Sequence, residues 1–118
     1  MSAMPLEGRE LLDRIVEAAA DKKAIDIRVL EVADIVGYTD FFVICSGNTD
    51  RQTKAIHDGI HDELKRAGVL PRRVEGERQA NWILMDYLDA VVHIFTPETR
   101  EYYRLEQLWG EAPARSMV

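Results

Sequence analysis

Asp40-Phe41-Phe42-Val43-Ile44-Cys45-Ser46-Gly47-Asn48-Thr49-Asp50-Arg51-Gln52 decides how this chain folds. From Phe41 to Cys45 there is no polar position, so the segment predicts a strand that is central in its sheet and covered on both faces. Ser46-Gly47-Asn48 is a turn. Thr49 followed three residues later by Gln52 has the form of a capping box, in which each side chain satisfies a free amide at a helix start. The helix that follows runs to about Ala67, with Ile56, Ile60 and Leu64 on one stripe and Gly68 placed to end it.

Upstream, Leu11, Leu12, Ile15, Val16 and Ala19 fall at helical spacing with Asp13, Arg14 and Glu17 opposite, which predicts an amphipathic helix. Ile25 to Val29 alternates with period two, a half-buried strand, and Asp34 to Thr39 reads as a loop. Downstream, a short strand near Arg72-Arg73-Val74 precedes two clear ones, Trp82–Met85 and Ala90–Phe95, joined by a hairpin at Asp86-Tyr87-Leu88-Asp89. Thr96-Pro97-Glu98 predicts a helix start. That last helix would carry Tyr102, Leu105, Leu108 and Trp109 to Gly110. The order α-β-β-α-β-β-β-α predicts an α/β sandwich around a mixed sheet, one domain over residues 1–110, with 111–118 a flexible tail.

Composition bounds the function. At 118 residues, 47% hydrophobic and 31% charged, the chain has the makeup of a globular domain. A net charge of -6 disfavours general nucleic-acid binding and favours a basic protein surface as charged partner. A single cysteine, Cys45, no cationic-then-apolar leader and no long apolar run predict a cytoplasmic protein with no membrane span.

Several constellations hold residues capable of chemistry. His57 and His61, with Asp58 between them, have a zinc-sharing spacing but no third ligand follows, so they read as solvated helix histidines. Asp86 and Asp89 flank a turn, where aspartate is recruited for its backbone hydrogen bonds as well as for acid–base work. Ser46-Gly47 lacks the lysine and glycine spacing of a P-loop and reads as an ordinary strand-to-helix turn. Cys45 and His93 would form a nucleophile–base pair only from neighbouring strands with both side chains on one face; a buried, inert Cys45 is the plainer reading. No catalytic residue, cofactor or metal site is predicted.

Seven strings in register carry a resemblance. They are Asp40–Gly47; Arg51-Gln52; Ala55-Ile56; Glu75-Gly76; Trp82–Tyr87; Val91–Phe95; and Tyr103-x-Leu105-Glu106-x-Leu108-Trp109. Together, over about residues 8 to 109, they resemble the ribosomal silencing factor family, also called Iojap-like or RsfS proteins. The resemblance implies a mixed sheet with helices on both faces, related to nucleotidyltransferases. It implies a non-enzymatic regulator that binds the large ribosomal subunit at ribosomal protein number fourteen. That site is on the face that meets the small subunit. Members block subunit joining and lower translation when nutrients are scarce, and they are homodimers when free. The family hairpin reads Asp-x-Gly-Asp, whereas Leu88 stands here in place of the glycine.

On that basis the partner-binding residues are expected to be Trp82, Met85, Asp86, Tyr87, Leu88, Asp89, Val91 and Glu75. Trp82 and Tyr87 would be an aromatic anchor, and Asp86, Asp89, Glu75 and Glu77 its acidic rim. An exposed patch of Trp82, Tyr87 and Leu88 would be covered by a second copy in the free homodimer, so self-association and ribosome binding would compete. The alternative is a nucleotidyltransferase-like or metal-dependent enzyme. It would need an Asp-x-Asp or Asp-x-Glu pair about ten residues beyond the Ser46-Gly47 turn, and none is present.

Overall fold

The computed structural model of the chain describes residues 8–105 and the backbone of 114–116. In chain order the elements are α1 (Gly8–Asp21), β1 (Ile25–Glu31), α2 (Ala33–Val36), β2 (Phe41–Ser46), α3 (Asp50–Arg66), β3 (Arg73–Glu75), β4 (Trp82–Asp86), β5 (Ala90–Phe95), α4 (Pro97–Tyr103) and β6 (Ala114–Ser116). The strands form one sheet in the order β3-β4-β5-β2-β1-β6. β2 and β5 run parallel, with Ile44 opposite His93; the other neighbouring pairs are antiparallel.

The period-two alternation of the strands sorts their side chains onto two cores. One face carries Ile27, Val29, Val43, Cys45, Ile83, Met85, Tyr87, Val92 and Ile94, sealed by Leu11, Leu12 and Ile15 of α1 and Ile56, Ile60 and Leu64 of α3. The other carries Leu30, Phe42, Ile44, Val91 and Phe95, with Leu105 and the half-buried Val36, Trp82 and Leu84 packed on it. The sheet is thus mixed and flanked by helices on both faces, as expected. β2 is central, and every residue from Phe42 to Ser46 is buried.

Local chemistry sets the ends of α3. Thr49 Oγ1 accepts from the Gln52 amide at 3.1 Å, the first half of a capping box. The Gln52 side chain does not return the bond; its Nε2 donates instead to the Lys22 carbonyl, tying the α1–β1 turn to α3. At the other end Val69 N–H reaches the Leu64 carbonyl at 2.8 Å and Gly68 N–H the Lys65 carbonyl at 2.9 Å. Gly68 at φ 85 supplies the left-handed residue that this closure needs.

Three expectations are corrected. Residues 34–39 are not all loop, because Ala33–Val36 closes one helical turn before Gly37. The last helix is not continuous: α4 ends at Tyr103 and Arg104 interrupts it, Leu105 is again helical, and the expected continuation to Gly110 lies outside the described residues. Arg104 takes a left-handed conformation there at φ 50, with its amide on the Arg100 carbonyl and its guanidinium on Glu101, and this break lets Leu105 turn into the second core. Leu108 and Trp109 lie outside the described residues. Within the expected tail, Ala114–Ser116 forms β6, pairing Leu30 with Ala114 and Arg28 with Ser116. The free backbone edge of β1 provides the donors and acceptors for that pairing.

Candidate functional site

The β4–β5 hairpin and the strand edge beside it hold every residue expected to meet a partner, but alternation divides them between the faces. Met85 and Tyr87 lie on the first face, fully covered by α1 and α3. Burial pushes the Tyr87 hydroxyl well above the usual phenol range, and that hydroxyl has no hydrogen-bond partner among the described residues. The expected exposed patch of Trp82, Tyr87 and Leu88 is therefore not formed: Tyr87 is a core residue, and Trp82 belongs to the opposite face.

Trp82 is half-buried on the second face, its ring 5.0 Å from Phe95 and 4.6 Å from Tyr103 between centroids. Its Nε1–H donates to His93 Nδ1 at 3.1 Å. An indole nitrogen only donates, so the neutral imidazole must carry its proton on Nε2. That Nε2–H is buried and has no partner among the described residues. Burial also holds the His93 pKa down at about 4, keeping the ring neutral. Phe42 stands edge-on to His93 at 5.0 Å, with Tyr38, largely exposed, 6.3 Å from Phe42. Leu84 is half-buried beside Trp82, and Val91 is buried next to it.

The acidic rim is smaller than expected. Asp86 is buried: Oδ1 accepts from the Leu88 amide at 2.9 Å, and Oδ2 from Arg72 at 3.1 Å. Asp89 Oδ2 accepts from the Gly8 amide at 3.1 Å, fastening the start of α1 to the hairpin. Asp86 is committed to shaping the turn and Asp89 to holding α1 against it. Leu88 is exposed at its tip with φ 76, so a conformation that favours glycine is taken by a residue with a β-carbon. Glu75, paired with Arg73 at 3.1 Å, and Glu77 remain exposed near Trp82. Between them Gly76 is irreplaceable, because a β-carbon there would stand 2.0 Å from the Trp82 carbonyl oxygen.

Leu84, His93, Phe42, Tyr38 and Tyr103 were not singled out for this face. Strand alternation could have found Leu84 and His93, since both share parity with Trp82 across the hairpin register, where Leu84 faces His93. Nothing in the local sequence brings Tyr38 or Tyr103 here.

The chemical alternatives fare differently. Cys45 and His93 sit on neighbouring strands but point to opposite faces, so they cannot act as a pair. Burial raises the Cys45 pKa to about 12, which leaves an inert thiol. His57 and His61 stack at 6.0 Å, each beside its own neighbouring aspartate. Among the described residues no group of three or more His, Cys, Asp or Glu side chains is placed to hold a metal ion. No helix among them is long and apolar enough to cross a membrane.

Comparison with known proteins places this geometry. The family described as "Ribosomal silencing factor during starvation" matches residues 5–117. A ribosomal silencing factor of Halalkalibacterium halodurans is 42% identical over 108 residues, 92% of each chain. A mouse protein named for mitochondrial assembly of the ribosomal large subunit is 36% identical over 104 residues, 83% of this chain and 44% of its own. A solved structure from Chromobacterium violaceum superposes with a TM-score of 0.87 at 33% identity, covering 96% of this chain and 94% of that one. A match over nearly the whole length, on one α/β sandwich, leaves one assignment: the chain belongs to the ribosomal silencing factor family.

Proposed function

We propose that this protein binds the large ribosomal subunit through ribosomal protein number fourteen, at the surface that meets the small subunit. Bound there, it blocks subunit joining and represses translation in the cytoplasm when nutrients are short. The observation that carries this reading is the second sheet face around Trp82. It offers a half-buried tryptophan and the apolar Leu84 and Leu88, above a buried His93 whose Nε2–H has no acceptor among the described residues. An aromatic anchor in a partly desolvated setting is the usual centre of a protein interface. Glu75 and Glu77 supply negative charge toward a basic partner. Met85, Tyr87 and Val91 support the face from within, while Asp86 fixes the turn that presents Leu88 and Asp89 holds α1 against it. Occlusion of this kind needs no catalytic group and no cofactor, and it involves no direct readout of nucleic acid. The free chain pairs with a second copy as a homodimer.

Co-sedimentation with purified large and small subunits tests the reading. Trp82→Ala should weaken binding to large subunits by about 2 kcal/mol or more, roughly thirtyfold. Because Trp82 also packs on the second core, Leu88→Asp at the exposed tip serves as the variant that keeps the fold. If either folded variant still sediments fully with large subunits, or if wild type binds small subunits equally, the reading is wrong.

A further inference from the structure

A second concavity lies apart from the cluster around Trp82, and the charge of its described lining is opposite to that of the molecule. β2 and β5 run side by side in the same direction, but the chain leaves them toward opposite faces, from β2 into α3 and from β5 into α4. In open α/β sheets such a divergence opens a crevice beyond the carboxyl ends of the strands, where ligands are held. A cavity of about 600 Å³ lies here on the α4 side, and Ser46, the last residue of β2, forms part of its wall. Among the described residues, Arg28, Arg100 and Arg104 line it against Asp26 and Glu101, an excess of one positive charge there in a chain of net charge -6.

The wall is built rather than incidental. Arg100 is buried, and its Nη1 donates to Ser46 Oγ at 2.9 Å while Nη2 lies 3.5 Å from Asp26 Oδ2. Since Ser46 Oγ accepts there, its own proton is left to donate. Asp26 also holds Arg28, accepting from Nε at 3.1 Å. It does so from a left-handed backbone conformation, φ 50, within the irregular part of β1 where the register against β2 shifts between Ile25 and Arg28. Strain of that kind persists where surrounding structure enforces it, and it collects at ligand sites. Arg104 is held at the rim by Glu101 at 2.6 Å. The Arg28 and Arg104 side chains are each about half exposed, so part of each planar fork faces the opening.

We propose that this cavity binds the terminal phosphate of a small phosphomonoester, such as a sugar phosphate. A guanidinium fork matches carboxylate and phosphate alike, but donors from several arginines and a hydroxyl around one cavity call for the three terminal oxygens of a phosphomonoester rather than the two of a carboxylate. The volume leaves room for the attached sugar. The inference rests on none of the argument about the ribosome-facing surface.

Calorimetric titration of the full chain tests it, with ribose 5-phosphate, inorganic phosphate, ribose and a 5′-hydroxyl RNA octamer as separate probes. Ribose 5-phosphate should bind saturably and more tightly than inorganic phosphate, and ribose should give no signal. The double variant Arg28→Ala, Arg104→Ala removes two exposed side chains and should unfold at nearly the wild-type temperature. Its affinity for ribose 5-phosphate should fall at least about tenfold. Absence of saturable binding to wild type, or equal affinity in the double variant, overturns the site. Inorganic phosphate binding as tightly as the ester, or the octamer binding when ribose 5-phosphate does not, overturns the monoester as its ligand.

Discussion

His93 shows how one side chain is set by its surroundings. On β5 it takes the Trp82 indole proton on Nδ1 and is enclosed by Phe42 and Phe95, and burial lowers its pKa from 6.5 to about 4. The folded state therefore resists the proton that the unfolded chain accepts. Above pH 6.5 both states are neutral here and the residue contributes no pH dependence. As pH falls from 6.5 toward 4 the unfolded state alone becomes charged, so stability drops across that window and levels off below it. Urea unfolding of wild type and His93→Gln across that window checks this. The wild-type curve should fall more steeply with acid than the variant curve, because carboxylate contributions are common to both. Parallel curves would mean that His93 is protonated in the folded protein.

The β4–β5 hairpin is the element on which the expected interface depended. Tyr87 N–H reaches the Ala90 carbonyl at 2.9 Å, so Leu88 and Asp89 form a two-residue loop, with only Leu88 of that pair at positive φ. Tight hairpins of this kind place glycine first because the conformation crowds a β-carbon. Leu88→Gly removes strain of ~1–2 kcal/mol and adds ~0.5–1 kcal/mol of unfolded-state entropy. The balance is a stability gain of up to ~1.5 kcal/mol by the same two principles. A rise in the urea midpoint with unchanged slope is the expected result, and a fall in the midpoint would show that Leu88 packs at a net advantage. The same hairpin explains why the acidic rim contracts. Arg72, the Leu88 amide and the Gly8 amide claim Asp86 and Asp89 before any partner does.

Over the whole molecule, 21 acidic side chains outnumber 15 basic ones, and a field of that sign steers encounter with a basic partner. Association with isolated ribosomal protein number fourteen should therefore slow as salt rises, with dissociation changing little. Glu75→Lys with Glu77→Lys should lower the association rate and flatten its salt dependence, as stopped-flow mixing would show. Faster association in the reversed variant would mean that the surface met first is phosphate rather than protein.

What the sequence alone determined is what local periodicity and turn chemistry encode. The unbroken apolar run at Phe41–Cys45 can only be central, the Thr49 cap and Gly68 bracket α3, and the hairpin follows from two strands separated by a short polar turn. The family was legible for the same reason, because strings such as Arg51-Gln52, Ala55-Ile56 and Val91–Phe95 lie within single elements. Tertiary structure alone decided which face each hairpin residue joins, since alternation relates Trp82 to Leu84 and Tyr87 to Met85 without saying which side α1 and α3 will cover. It alone committed Asp86 and Asp89 to partners, one of them 81 positions away in the chain. It also gathered Arg28, Arg100 and Arg104 around Ser46, residues from three elements that no spacing rule connects. Short-range order comes from each segment's own periodicity, but the use of a side chain depends on what the rest of the chain packs against it.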